Sequence, residues 1–253
     1  MNNPKICAAV LLAACTFSIS ADDLYLGVNK EKYLIGDYPA GKVLQKYSDK
    51  NIGGALVRPD VKDAFEKMIK AYDKDRVGKK NAPPIIVNSS FRGYYDQKYI
   101  WESKYRGERK MREPVAGKKP AEIAALILEY SSAPGTSRHH WGTDLDLNSF
   151  DNKYFEKGGK GEYLYSWLQE NGQKFGFCQP YTELADRGNK GYFLERWHWS
   201  YFPVASKLVA DWKEAYDKKQ ITIKGKFLGS EAFTEEMPKT YVTSINKTCL
   251  KDQ

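Results

Sequence analysis

From residue 22 onward the chain switches repeatedly between helical spacing of apolar residues and short, dense apolar runs. Val61, Phe65, Met68, Ile69 and Tyr72 fall on one face of a helix, predicted from Val61 to about Asp73 with Asp60 as its cap. Pro83-Pro84 closes the next loop, and Ile85-Ile86-Val87 reads as a short buried strand. A mixed stretch from Tyr94 to Glu108 is helical, and Lys110 to Lys119 is a surface loop. Pro120 then opens a helix whose core face is Ile123, Ala124, Ile127 and Tyr130. After a turn-rich Ser131–Thr136 come a strand at Leu145–Leu147, a helix over Tyr163–Gln169 ended by Asn171-Gly172, and a strand beginning at Phe175-Gly176-Phe177. Phe193 to Trp199 is strand-like. Pro203 starts a helix with Ala205, Leu208, Trp212 and Ala215 inward, and the residues from Lys218 suggest a hairpin and a tail.

Helices mixed with short, separated strands argue for an α+β fold rather than regular βαβ winding. The expected form is a small antiparallel sheet flanked by helices. Residues 22–57 alternate apolar runs with Gly and Pro and read as a loop-rich lead-in. The organisation expected is therefore a segment 1–21, the lead-in 22–57, a catalytic domain 58–205, and a C-terminal helix and tail 206–253.

The first segment has the form of an export signal. One positive charge precedes a nine-residue apolar stretch, Ile6–Ala14, which is too short to span a bilayer. Small residues up to Ala21, followed by Asp22-Asp23, suit cleavage near Ala21. Leu12-Ala13-Ala14-Cys15 also reads as a bacterial lipobox, which would place a lipid anchor on Cys15; both readings stay open. Either implies a protein outside the cytoplasm, in a bacterial periplasm or cell envelope, with no transmembrane span. Cys178 and Cys249 are then left in the folded body, where an oxidising compartment allows them to pair.

The 253 residues carry a formal charge of +8. The lysines are scattered and mixed with acids, so the excess reads as solvated surface, and no nucleic-acid partner is expected.

Histidine changes the picture. The chain has only three, His139, His140 and His198, and all lie in two short clusters rich in acids and aromatics. The first is Ser137-Arg138-His139-His140-Trp141-Gly142-Thr143-Asp144-Leu145-Asp146; the second is Glu195-Arg196-Trp197-His198-Trp199. Imidazole nitrogens with a carboxylate oxygen suit a first-row metal such as zinc. Gly142 and the nearby aspartates make a helix implausible there. A reversal at Gly142 into the following strand would bring His139 and an aspartate to one point, although Asp144 and Asp146 lie on the same side of a regular strand. Spacing alone does not choose between them. Glu195, three residues before His198, is placed to serve as a base beside a metal site. The HExxH helix motif is absent.

The pattern Ser-x-His-x-x-Gly-x-x-x-Asp, followed by Glu-x-Trp-His, resembles the VanY-type D-alanyl-D-alanine carboxypeptidases, zinc peptidases grouped with lysostaphin and the hedgehog domain. The resemblance covers roughly residues 55–205. It implies one Zn2+ per chain on His139, Asp146 and His198, with Glu195 as general base. It also maps an upstream Ser-x-x-Arg element onto Ser89-Ser90-Phe91-Arg92-Gly93, with Gln97 following. Arg92, which on its own reads as a surface arginine, then becomes the oxyanion donor. Ser137 and Gln97 become substrate-binding residues. Asp144 departs from the pattern, which usually has a small residue there, and a second carboxylate could bond a ligand histidine or alter the pocket. His140 has no ligand role and is expected at the pocket or surface. Trp141, Trp197, Trp199 and Tyr201 are expected to pack the metal loops. The implied protein is a monomeric exported hydrolase cutting the terminal D-Ala-D-Ala bond of peptidoglycan stem peptides. L,D-carboxypeptidase, stem-peptide endopeptidase and a non-catalytic zinc-containing wall binder are the alternatives.

Overall fold

The computed structural model describes residues 21–250, so the export and lipobox expectations for the first segment lie outside the described residues. The elements run α1 (Ala21–Tyr25), α2 (Lys30–Ile35), α3 (Ala40–Val43), β1 (Gln45–Tyr47), β2 (Ala55–Val57), α4 (Pro59–Asp75), β3 (Val87–Ser89), α5 (Tyr94–Tyr105) and α6 (Pro120–Ile127). Then follow β4 (Asp144–Leu147), α7 (Glu162–Asn171), β5 (Phe177–Cys178), β6 (His198–Tyr201), α8 (Phe202–Asp217) and α9 (Glu236–Thr243).

The central sheet has four strands in the order β3-β4-β6-β5, every pair antiparallel. The α+β reading holds. β1 and β2 form a separate antiparallel pair.

Two apolar clusters flank this sheet. Val61, Phe65, Met68 and Tyr72 of α4 pack with Leu164 and Leu168 of α7 against Leu145, Leu147, Phe177 and Trp199. On the other side α2, α5, α6, α8 and the tail share a second cluster built on Trp101, Trp141, Leu208 and Trp212. Because side chains alternate across a strand, β4 (Asp-Leu-Asp-Leu) sends its leucines into the first cluster and its aspartates to the opposite face. The pairings Asp144 with Ser200 and Asp146 with His198 put all four polar side chains on that second face.

Several elements differ from the sequence expectation. The lead-in is not loop-rich: α1–α3 and the β1–β2 pair bury Tyr33, Leu34 and Ala55. Arg58, not Asp60, occupies the cap of α4, because Pro59 lacks an N–H and presets the first helical turn. Asp60 instead pairs with buried Arg58 at 3.0 Å. The β3 ladder begins at Val87, after Ile86 N–H has bonded to the Asn148 side chain at 3.1 Å. Tyr130 lies beyond the end of α6 and is exposed rather than in the core. Only His198–Tyr201 of the aromatic run is strand; residues 193–197 lead into it, and Glu195 lines the cleft. α8 starts at Phe202, with Pro203 in its first turn, and so spans the expected boundary at 205/206. No hairpin follows Lys218: among the described residues this part forms turns and α9, packed on α8.

Cys178 and Cys249 are joined in a disulfide across a sequence separation of 71 residues. Closing a loop of that length restricts the unfolded chain and stabilises the fold by about 4 kcal/mol. Among the described residues no helix is long and apolar enough to cross a membrane.

Candidate active site

The loop carrying the first histidine cluster is a one-turn 3-10 helix, Arg138–Trp141, where the sequence argued against a helix. It is ended by Gly142 with φ +68°, a left-handed conformation that glycine adopts without a Cβ penalty. The chain then reverses into β4, so His139 and Asp146 meet with 3.3 Å between Nε2 and Oδ2. His198, opposite Asp146 in β6, brings its Nδ1 to 3.3 Å from the other carboxylate oxygen. All three side chains are buried.

The spare ring nitrogens fix the orientation of each imidazole. His139 Nδ1 lies 2.7 Å from Ser90 O, which makes it the protonated nitrogen and turns the Nε2 lone pair into the site. His198 Nε2 lies 2.8 Å from Asp144 Oδ2, leaving Nδ1 to face Asp146 and Glu195. One donor atom from each of His139, Asp146 and His198 lies within 4.8 Å of the others. His139 Nε2 and Asp146 Oδ1 are buried with no hydrogen-bond partner among the described residues. Two ligands bound at the usual zinc distances in a tetrahedron stand about 3.3 Å apart, the separation of His139 Nε2 from Asp146 Oδ2. These residues fit a zinc ion.

Asp144, the departure in the motif, has no direct place among the three. It lies behind His198, fully buried, with Oδ2 accepting from His198 and from Arg138 Nε at 2.9 Å. Thr143 and Ser200 hydroxyls donate to its Oδ1 at 2.7 and 2.8 Å. Burial opposes its ionisation, yet Arg138 and His198 outweigh that and hold the carboxyl well below the usual range. Burial also opposes the protonated form of His198, but the bonds to Asp144 and Glu195 prevail and lift it to about 9. The surrounding carboxylates thus create a field that attracts positive charge.

Glu195 is buried, its Oε2 3.2 Å from His198 Nδ1. Burial raises its pKa, with the His198 contact opposing the shift. Arg92 lies on the loop between β3 and α5, and its Nε is buried without a hydrogen-bond partner among the described residues. Its charge acts on His139, Asp146 and Glu195. A single cleft of about 770 Å³ is lined by Arg92, His139, Asp146, Glu195 and His198 together. Trp197 joins them, whereas Trp141 is enclosed behind the histidine loop and Trp199 packs on the opposite face of the sheet.

Ser137 and Gln97 are buried just outside the cleft lining. The Gln97 amide donates to Ser132 O at 2.7 Å, and both Gln97 Oε1 and Ser137 Oγ lack partners among the described residues. The residues that the sequence did not single out are Tyr181 and Arg138. Tyr181 packs edge-on against His198 at 4.7 Å between ring centres. Tyr181 lies in neither cluster and reaches the site only in the folded chain, whereas Arg138 sits in the first cluster at an unassigned motif position.

His140 is not a pocket or surface residue. It is fully enclosed, accepting from Gly135 N–H at 3.0 Å through Nε2 and donating to Arg92 O at 2.7 Å through Nδ1. Burial lowers its pKa to about 3 and keeps it neutral, as this pair of bonds requires. Gly36 makes room for the ring: a Cβ there would come within 2.5 Å of it. His140→Phe would orphan two buried backbone groups, each costing about 1–3 kcal/mol, and would release the backbone behind Arg92. A lower urea midpoint together with a reduced kcat is expected; an unchanged midpoint would show that the bonds contribute nothing.

Comparison with known proteins bears on the same region. A family model described as VanY, D-alanyl-D-alanine carboxypeptidase, matches residues 54–204. The chain belongs to the VanY family. A D-alanyl-D-alanine carboxypeptidase of Enterococcus faecalis is 31% identical over 123 residues, which are 47% of this VanY-family chain and 40% of that protein. An uncharacterised protein of Haemophilus influenzae is 37% identical over 82 residues, covering 27% of this chain and 60% of its own length. The VanY-family chain thus spans less than two thirds of either curated relative. Among solved structures, one of VanYB in complex with D-alanine-D-alanine is similar at 23% identity and a TM-score of 0.48, over 70% of this chain and 87% of that one.

Proposed function

We propose that this VanY-family chain is an exported zinc peptidase that removes the terminal D-alanine from D-Ala-D-Ala-ending stem peptides of peptidoglycan. The observation that carries this reading is the buried His139, Asp146 and His198 constellation opening on one cleft with Glu195 and Arg92. The family description and the Enterococcus faecalis relative supply the substrate class. The short apolar segment Ile6–Ala14 motivates the export assignment.

His139, Asp146 and His198 would hold the zinc, which supplies Lewis acidity toward the scissile carbonyl and a lowered pKa for water. Glu195 takes the proton from the attacking water and passes it to the leaving amine. Burial raises its proton affinity, which suits a group that must both accept and return a proton. Arg92 lines the cleft, and its Nε has no hydrogen-bond partner among the described residues, so its guanidinium is available to the negative charge that develops on the carbonyl oxygen. A purely structural metal site needs neither a buried carboxylate beside it nor an unpaired guanidinium, which favours the enzyme over a wall-binding role.

The test is to incubate the zinc-loaded protein with pentapeptide and tetrapeptide stems and weigh the products by mass spectrometry. Loss of one alanine from the pentapeptide alone is expected. Shortening of the tetrapeptide would instead assign L,D-carboxypeptidase activity, and an internal cut would assign an endopeptidase.

A further inference from the structure

The cleft contains a cation that the hydrolysis does not use. Lys104 sits in the last turn of α5, half-buried, on the wall that also carries Arg92, Glu195 and the two metal-facing histidines. Among the described residues its ammonium has one hydrogen bond, to Ser131 Oγ at 2.5 Å, and no carboxylate within ion-pair distance. Arg112, on the same cleft, is by contrast neutralised by Glu129 at 2.6 Å. Burial lowers the proton affinity of Lys104; Glu195 opposes that shift, while Arg109 and Arg92 add to it. A partly desolvated ammonium crowded by two guanidinium groups is costly unless an anion joins it.

We propose that Lys104, together with the Ser131 hydroxyl, binds the free terminal carboxylate of the peptide cut in this cleft. This deepens the peptidase reading and rests on it. An exopeptidase must reward a free carboxylate, and an amide or a continuing chain at that position would leave the ammonium unpaired. Sites built around a buried polar group reject ligands that cannot satisfy it. The pair also fits the local architecture: Gln97, also on α5, bonds Ser132 O, so the helix holds the Ser131-Ser132 turn at two points.

The experiment compares an acyl-D-Ala-D-Ala peptide with its C-terminal amide, using zinc-loaded protein and the variants Lys104→Met, Lys104→Arg and Ser131→Ala. Methionine keeps the aliphatic stem, and thermal unfolding recorded in parallel checks the fold. Losing a charge-assisted contact should raise KM for the free acid by roughly 10- to 100-fold, with kcat changed far less. The preference for acid over amide should then collapse toward unity, with Lys104→Arg retaining part of it and Ser131→Ala losing a smaller share. Calorimetric binding of both peptides to the uncleaving Glu195→Gln protein, with and without Lys104→Met, gives a readout independent of turnover. If unaltered protein cleaves neither peptide, the peptidase reading fails while this binding comparison still decides on Lys104. Equal losses for acid and amide, or no loss for either, would overturn the proposal.

Discussion

Glu195→Gln is expected to lower kcat/KM on a D-Ala-D-Ala peptide by roughly 10²- to 10⁴-fold, the range supplied by a positioned acid–base group. Zinc content should stay at one ion per chain, because Glu195 approaches His198 without being one of the three donors that lie together. Glutamine keeps the size of the side chain and cannot accept the proton. The fall should appear mainly in kcat, since the carboxylate acts on the water and leaving amine rather than on the resting peptide. Zinc determined by mass spectrometry beside steady-state kinetics checks both halves. Substantial residual turnover with zinc in place would remove Glu195 from the role of base.

Asp144→Ala should have two separable effects. The first is on the metal: His198 loses the acceptor that fixes its tautomer and ring orientation, and such outer partners commonly contribute 10- to 100-fold in metal affinity. The second is on the fold. Arg138, with 0% exposure, would keep its charge but lose the carboxylate 2.9 Å from its Nε. Breaking a buried pair in this way costs about 3–5 kcal/mol. Replacing both partners, with Arg138→Met added, removes the orphaned charge and should recover much of the stability but none of the metal affinity. Competition with a zinc chelator and urea unfolding measure the two quantities. If the double variant regained zinc affinity, the carboxylate would be acting only through folding.

Much of the frame was legible because it depends on local chemistry. The period of α4 was visible in Val61, Phe65, Met68, Ile69 and Tyr72, all of which are buried. The rarity of histidine pointed to His139 and His198 before any contact was known, since imidazole placed only beside acids suits metal binding better than packing. Errors concentrated where the chain makes no periodic statement. The lead-in looked loop-like because its helices are only four to six residues long, yet Tyr33 and Leu34 in α2 are fully buried. His140 was misplaced because its partners, Gly135 N–H and Arg92 O, are backbone groups with no signature in residue type.

What the sequence determined on its own was the chemistry available: a scarce set of imidazoles, carboxylates at short spacing, and strands whose alternation separates aspartates from leucines. Which aspartate meets the histidines was a different matter. Asp144 and Asp146 share one face of β4 and are equivalent by periodicity, differing by two residues along the strand. Antiparallel register decides between them, pairing Asp146 with His198 and Asp144 with Ser200. The Gly142 turn then lowers His139 onto Asp146, while Arg138 from the same turn claims Asp144. Only tertiary contacts could set that division, because it depends on which groups from distant strands and loops arrive at each carboxylate. The same holds for Arg92, which on its own reads as a surface arginine, and for Lys104: both line the cleft only in the folded chain.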